Sequence, residues 1–145
     1  MKIALKILGT PQPKQSTRFK VQKFGSKQFA KAYQPAKVIQ NERNIAFDVK
    51  SQLPKGFIPF TTAIKAKVTF VFPPLKSWNK KIQEQFETGE KIYKTSRPDL
   101  TDNLMKGTMD AMTGIVYTDD AVIVKVESEK IYGKVPRIEI EFEEL

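Results

Sequence analysis

Five of the chain's 16 acids, Asp99, Asp102, Asp110, Asp119 and Asp120, fall within 22 residues, in a segment from Arg97 to Asp120 that also carries Lys106. The chain has neither histidine nor cysteine, which excludes thiol nucleophiles, imidazole acid–base chemistry, zinc fingers and disulfides. What remains is carboxylate chemistry. Oxygen ligands suit hard divalent cations such as Mg²⁺ or Mn²⁺, and carboxylates holding such a cation can hydrolyse phosphodiesters. Each acid also has a plainer reading. Asp102, Lys106 and Asp110, spaced by four, form an ion-pair ladder worth a few tenths of a kcal/mol on a helix. Asp102 and Asn103 suit a helix cap, and Asp119 and Asp120 suit a turn.

The elements around these acids can be read from periodicity. Leu104, Met105, Met109 and Met112 predict a helix over 102–113, with Asp102 capping its start and Gly114 ending it. Asp119 and Asp120 follow, directly before a strand over 121–131 that alternates Val122, Val124 and Val126 with Lys125, Glu127 and Glu129. About 18 Å of helix separates the two sets of acids. They can share a cation only if the exit loop returns beside the helix start; otherwise they form two distant acidic patches. Strands are expected at 2–8, 62–72 and 137–143, with a basic hairpin over 14–33 turning at Gly25 and Ser26. A helix is expected over 36–53, ended by Pro54 and Gly56, and a short one over 78–87, capped by Ser77. Gly133 and Lys134 predict that the last two strands close a terminal hairpin. The expected fold class is α/β (α+β), a single mixed β-sheet of four or five strands with two main helices packed against it, in one domain spanning 1–145.

Charge is divided unevenly along the chain. The formal net charge is +9, but residues 1–60 carry 12 Lys and Arg against two acids, whereas residues 61–145 carry 13 against 14. A basic half points to a polyanionic partner, and an acid-containing half to a cation. Lys14, Arg18, Lys20, Lys23 and Lys27 crowd one stretch and are the candidates for phosphate contact. No signal peptide or spanning segment is evident, so a cytoplasmic protein with no membrane partner is expected.

The order Pro98-Asp99, then Asp102-Asn103-Leu104 with Lys106, then Asp110-Ala111 with Gly114, then Tyr117 with Asp119-Asp120 resembles the signature of the RusA family of Holliday junction resolvases. Gly9, Pro11, Lys14 and Arg18 near the start, and Pro74, Ser77, Lys80 and Lys81 further on, extend the resemblance over most of the chain. It implies a Mg²⁺-dependent homodimer, with Mn²⁺ substituting, that acts on branched DNA such as a four-way junction without a small-molecule cofactor. It further implies Asp99, Asp102 and Asp120 as metal ligands, Asp119 beside them, and Lys106 assisting at the phosphate. One departure stands out. The family places a single residue between its first two aspartates, whereas Leu100 and Thr101 both intervene here. In an extended segment the extra residue would turn Asp99 to the opposite face, so either a bulge corrects it or Asp99 is not a ligand. The competing readings are a non-catalytic basic DNA-binding module and a less selective flap or fork nuclease.

Overall fold

The computed structural model of the chain describes residues 1–13, 18–25, 27–33 and 36–145. Its elements in order are β1 (Lys2–Leu8), β2 (Arg18–Phe24), β3 (Lys27–Tyr33), α1 (Ala36–Gln52), β4 (Ile64–Phe72), α2 (Lys80–Glu87), a π-helical turn (Leu100–Met105), α3 (Lys106–Met112), a 3₁₀ turn (Asp120–Val122), β5 (Ile123–Tyr132) and β6 (Arg137–Glu144). Four strands form one mixed sheet in the order β1-β6-β4-β5, and β2 and β3 form a separate antiparallel hairpin. The fold is α+β, as expected.

Strand alternation decides which face of the sheet is buried. Ile3, Leu5 and Ile7 of β1, Ile138, Ile140 and Phe142 of β6, and Ile64, Ala66, Val68 and Phe70 of β4 all point to one side, where they are nearly or wholly removed from solvent. Val38, Ile45 and Val49 of α1 are buried, and Ile45 and Val49 join this core together with Leu104, Met109 and Met112 from the π turn and α3. The other face carries charge in alternating columns: Lys2 and Lys6, then Glu139, Glu141 and Glu143, then Lys65 and Lys67, then Lys125, Glu127 and Glu129. Lys65 reaches Glu127 at 2.8 Å and Lys2 reaches Glu141 at 3.8 Å. Exposed pairs of this kind are worth at most about 1 kcal/mol, but they leave this face close to neutral.

Three local expectations change. The last two strands are not a hairpin: β6 lies between β1 and β4, antiparallel to both, and β5 runs parallel to β4 on the far side. Alternation reports which face a residue occupies and says nothing of its neighbour. Gly133 is the physical reason the chain can pass over β4. Its N–H donates to the Phe72 carbonyl at 2.9 Å, and a Cβ there would stand 2.5 Å from a methyl of Val71. The α2 cap is Asn79, whose side chain accepts from the Ile82 N–H at 2.9 Å, and not Ser77, which stands two residues too early. The third helix begins at Leu100 with Asp99 in the capping position, so Asp102 lies inside it. No helix among the described residues is long and apolar enough to cross a membrane.

Candidate active site

The leading end of the acidic segment is held by β5. Residues 92–94 run along its outer edge, with the Lys94 N–H donating to the Lys130 carbonyl and the Tyr132 N–H to that of Ile92, both at 3.0 Å. The next stretch, which contains a cis Arg97–Pro98 peptide, is gripped by the Lys130 ammonium, which donates to the carbonyls of Ser96 at 2.8 Å and Pro98 at 2.9 Å. Asp99 follows at once. The Leu104 N–H then reaches back five residues to the Asp99 carbonyl at 3.1 Å, closing a π turn. A π turn takes up one residue more than an α turn. The extra residue between Asp99 and Asp102 is therefore accommodated in a widened helical turn, and the extended-strand argument against Asp99 no longer applies. Leu104 still reaches the core, while Asp99, Asp102 and Lys106 are exposed.

The trailing end is held differently. Tyr117 is fully buried, its hydroxyl donates to the Met109 carbonyl of α3, and its ring meets Phe142 edge-on with centroids 5.6 Å apart. The Gly114 N–H donates to the Tyr117 carbonyl at 2.7 Å, and Gly114 has φ +81°, where a side chain would be strained. On the other side, Phe60 bonds Val116 and Thr118 through its backbone at 2.9 and 3.0 Å. Burial pushes the Tyr117 phenol far above its ordinary value, so it stays a neutral donor.

This turn delivers Asp119 and Asp120 to the start of β5. Asp119 accepts the Ala121 N–H at 3.0 Å, and that bond, together with one shared with Asp120, holds its carboxyl below the usual range. The same shared bond pushes Asp120 up, aided by partial loss of hydration and by the charges of Asp119 and Asp110. Asp120 is thus the partner that takes up a proton first as pH falls. Two adjacent carboxyls, with Asp110 in electrostatic range, form an all-oxygen donor set whose mutual repulsion a divalent cation would relieve.

The two ends do not meet within one chain. Neither Asp99 nor Asp102 figures among the charges acting on Asp120, and among the described residues no three acids stand close enough to hold an ion. Of the basic candidates, Arg18, Lys20 and Lys23 belong to β2, Lys27 opens β3 and is exposed, and Lys14 lies outside the described residues. One residue was not foreseen as part of the site's framework. Lys130 shares the apolar parity of Val124 and Val126 on β5, and a lysine out of phase with its strand is the signal that could have marked it. Asp110 belongs to the family motif and to the ladder, and its charge acts on Asp120.

Residues 9–143 match the sequence model of the family described as Endodeoxyribonuclease RusA. The chain belongs to the RusA family. Among its relatives is the crossover junction endodeoxyribonuclease rusA of Lactococcus phage r1t, 38% identical over 104 residues that cover 68% of this chain and 71% of that protein. Another is the uncharacterized protein YqaN of Bacillus subtilis strain 168, 31% identical over 111 residues, 77% of each chain. The RusA match spans the acidic segment, both of its anchoring elements and the basic hairpin.

Proposed function

We propose that this RusA-family chain is a metal-dependent endonuclease that resolves four-way DNA junctions by paired symmetric nicks, working as a homodimer. The observation that carries the reading is the hydrogen-bonded Asp119–Asp120 pair at the start of β5, in a chain of an endodeoxyribonuclease family. Asp119 and Asp120 would hold the cation from one side, and Asp99 and Asp102 supply the further carboxylates. A bound Mg²⁺ or Mn²⁺ supplies charge neutralisation at the scissile phosphate and activation of the attacking water. Since the two sets of acids stand at opposite ends of one helix, a homodimer lets both serve one centre, with one protomer's leading end against its partner's trailing end. Lys106, at the first position of α3, offers positive charge to the phosphate oxygens.

Contact with the DNA backbone falls to Lys14, Arg18, Lys20, Lys23 and Lys27. The near-neutral open face of the sheet supports this assignment, because the excess positive charge belongs to the first 60 residues. Two-fold symmetry suits a substrate that needs two opposed cuts. The test is a Mg²⁺ titration with four-way, flap, fork and linear DNA. Paired nicks confined to the four-way junction are expected. Junction that shifts in a gel but stays uncut at every concentration would replace this reading with a non-catalytic binder, and equal rates on all substrates with a less selective nuclease.

A further inference from the structure

The sheet has two outer edges, and an exposed edge is a template for another strand unless something blocks it. At β1 the block is present: the Gln52 side chain of α1 accepts the Lys6 N–H at 2.9 Å and donates to the Lys6 carbonyl at 2.7 Å. At β5 only the far end is closed, where Tyr93 lies opposite Ile131. From Ile123 to Glu129 the outer edge of β5 has no neighbouring strand among the described residues.

The side chains of that open stretch do not suit solvent. Val126 is in register with Ala66 of β4, and Ser128 with Val68, so Val126 belongs to the face that the helices cover elsewhere, while Val124 is the residue passed over where the register shifts between Ile123 and Lys125. Ala66 and Val68 are fully buried, yet Val124 is 61% exposed and Val126 50%. The helical layer ends before it reaches them.

The charges on the opposite face select one occupant. A second copy related by a two-fold axis perpendicular to the sheet would run antiparallel and keep each residue on its own face. With the axis at Val126, Val126 meets its own counterpart, Val124 meets the partner's Ser128, and Lys125 meets the partner's Glu127, twice by symmetry. Centring the axis on Lys125 or on Glu127 would instead set like charges directly opposite each other, which is unfavourable. Lys125 also stands beside Lys65 in register, so a carboxylate on its free side supplies the opposite charge that its own sheet neighbour does not.

We propose that Ile123–Glu129 is the surface through which two copies of this chain pair, β5 against β5 with the axis at Val126, joining two four-stranded sheets into one of eight. The proposal rests on the homodimeric reading above and gives it a geometry. Reversing the partner's strand places its residues 92–94, which occupy the edge beyond Glu129, beside the turn Asp120–Val122.

The chain's lack of cysteine makes the test direct. Val126→Cys puts two thiols opposite each other at the axis, so mild oxidation should convert the protein to a disulfide-linked dimer, whereas Val21→Cys, exposed on the hairpin, should not cross-link. Lys125→Glu and Glu127→Lys should each weaken the dimer by roughly tenfold or more in sedimentation, and combining them should restore it. A dimer that ignores all three charge variants and does not cross-link at Val126→Cys overturns the surface, as does a wild type that stays monomeric while cutting junctions. If the chain pairs through Val126 but never cleaves DNA, the surface stands and the nuclease reading falls.

Discussion

The two ends of the helix that carries the acids are built on opposite plans. At the trailing end, Asp119 and Asp120 share a hydrogen bond, perturb each other's protonation in opposite directions, and rest on a buried tyrosine. At the leading end, Asp99 and Asp102 are exposed, separate from that pair, and held through backbone carbonyls gripped by Lys130 and by the π turn that Leu104 closes onto Asp99. One end is an electrostatic device already complete in a single chain. The other is a pair of exposed acids on an anchored turn. The difference teaches that, in the proposed centre, one half shows in a single chain through the electrostatic coupling of its acids and the other through the anchoring of its loop.

The strongest way to break this comparison is to remove one acid from each end. On the proposed function, Asp120→Asn and Asp102→Asn should each lower single-turnover cleavage at saturating Mg²⁺ by at least about 100-fold while junction binding is retained, because each would remove a charged ligand acting on the transition state. Mixing the two inactive proteins then asks where the halves meet. If one protomer's leading end works with its partner's trailing end, random re-pairing of equal amounts leaves about a quarter of all sites with both acids intact, and nicking returns. If each site is built within one chain, the mixture stays inactive.

Next in size is the anchor of the leading end. Lys130→Met removes two bonds from a charged donor to backbone carbonyls, which should cost about 1–3 kcal/mol of stability by urea unfolding. It should also slow cleavage by about tenfold, since ligand misplacement is costly in rate. The Mg²⁺ concentration needed for half-maximal rate should rise, and Lys130→Arg should restore much of it. A variant that loses stability but keeps its Mg²⁺ dependence would make Lys130 merely structural.

The trailing end should respond less to loss of its own anchor. Tyr117→Phe keeps the ring against Phe142 and removes only the bond to the Met109 carbonyl, at a cost of about 1 kcal/mol. Its cleavage rate should fall by less than that of Lys130→Met, because the backbone bonds from Phe60 and Gly114 still hold the turn. Equal losses of rate in the two variants would erase the contrast between the ends.

What was legible in advance follows the same division between local and distant information. Alternation placed Ile64, Ala66, Val68 and Phe70 on one face of β4 and the lysines on the other, and the helical spacing of Ala36–Gln52 fixed α1, because both patterns are written over a few neighbouring residues. Strand order was hidden, since β6 carries the same alternation whether it pairs with β5 or slips between β1 and β4. The acids could be named from their motif. The π turn that admits the extra residue could not, because it depends on Leu104 reaching the core while Asp99 is fixed by a lysine 31 positions later in the chain.

The smallest expected effect separates the ends without any DNA. Asp120 has its carboxyl raised in the folded chain, so its contribution to stability is present at low pH and is lost as pH rises through that raised value. Asp119 is shifted the other way: its contribution is present above the ordinary carboxylate range and is lost as pH falls through the lowered value. Asp120 is the partner whose ionisation opposes folding. Asp120→Asn should therefore raise the melting temperature slightly at pH 7, and the gain should vanish toward pH 3, where the wild-type carboxyl is protonated. Mg²⁺ should stabilise the wild type at pH 7 by relieving the same repulsion, and should do so much less for Asp120→Asn. Asp102→Asn serves as the control from the other end. It removes no comparable repulsion, so by itself it should leave the melting temperature unchanged at pH 7. An Asp120→Asn protein that melts below wild type at neutral pH would mean that the pair is a stabilising turn and not a strained half-site.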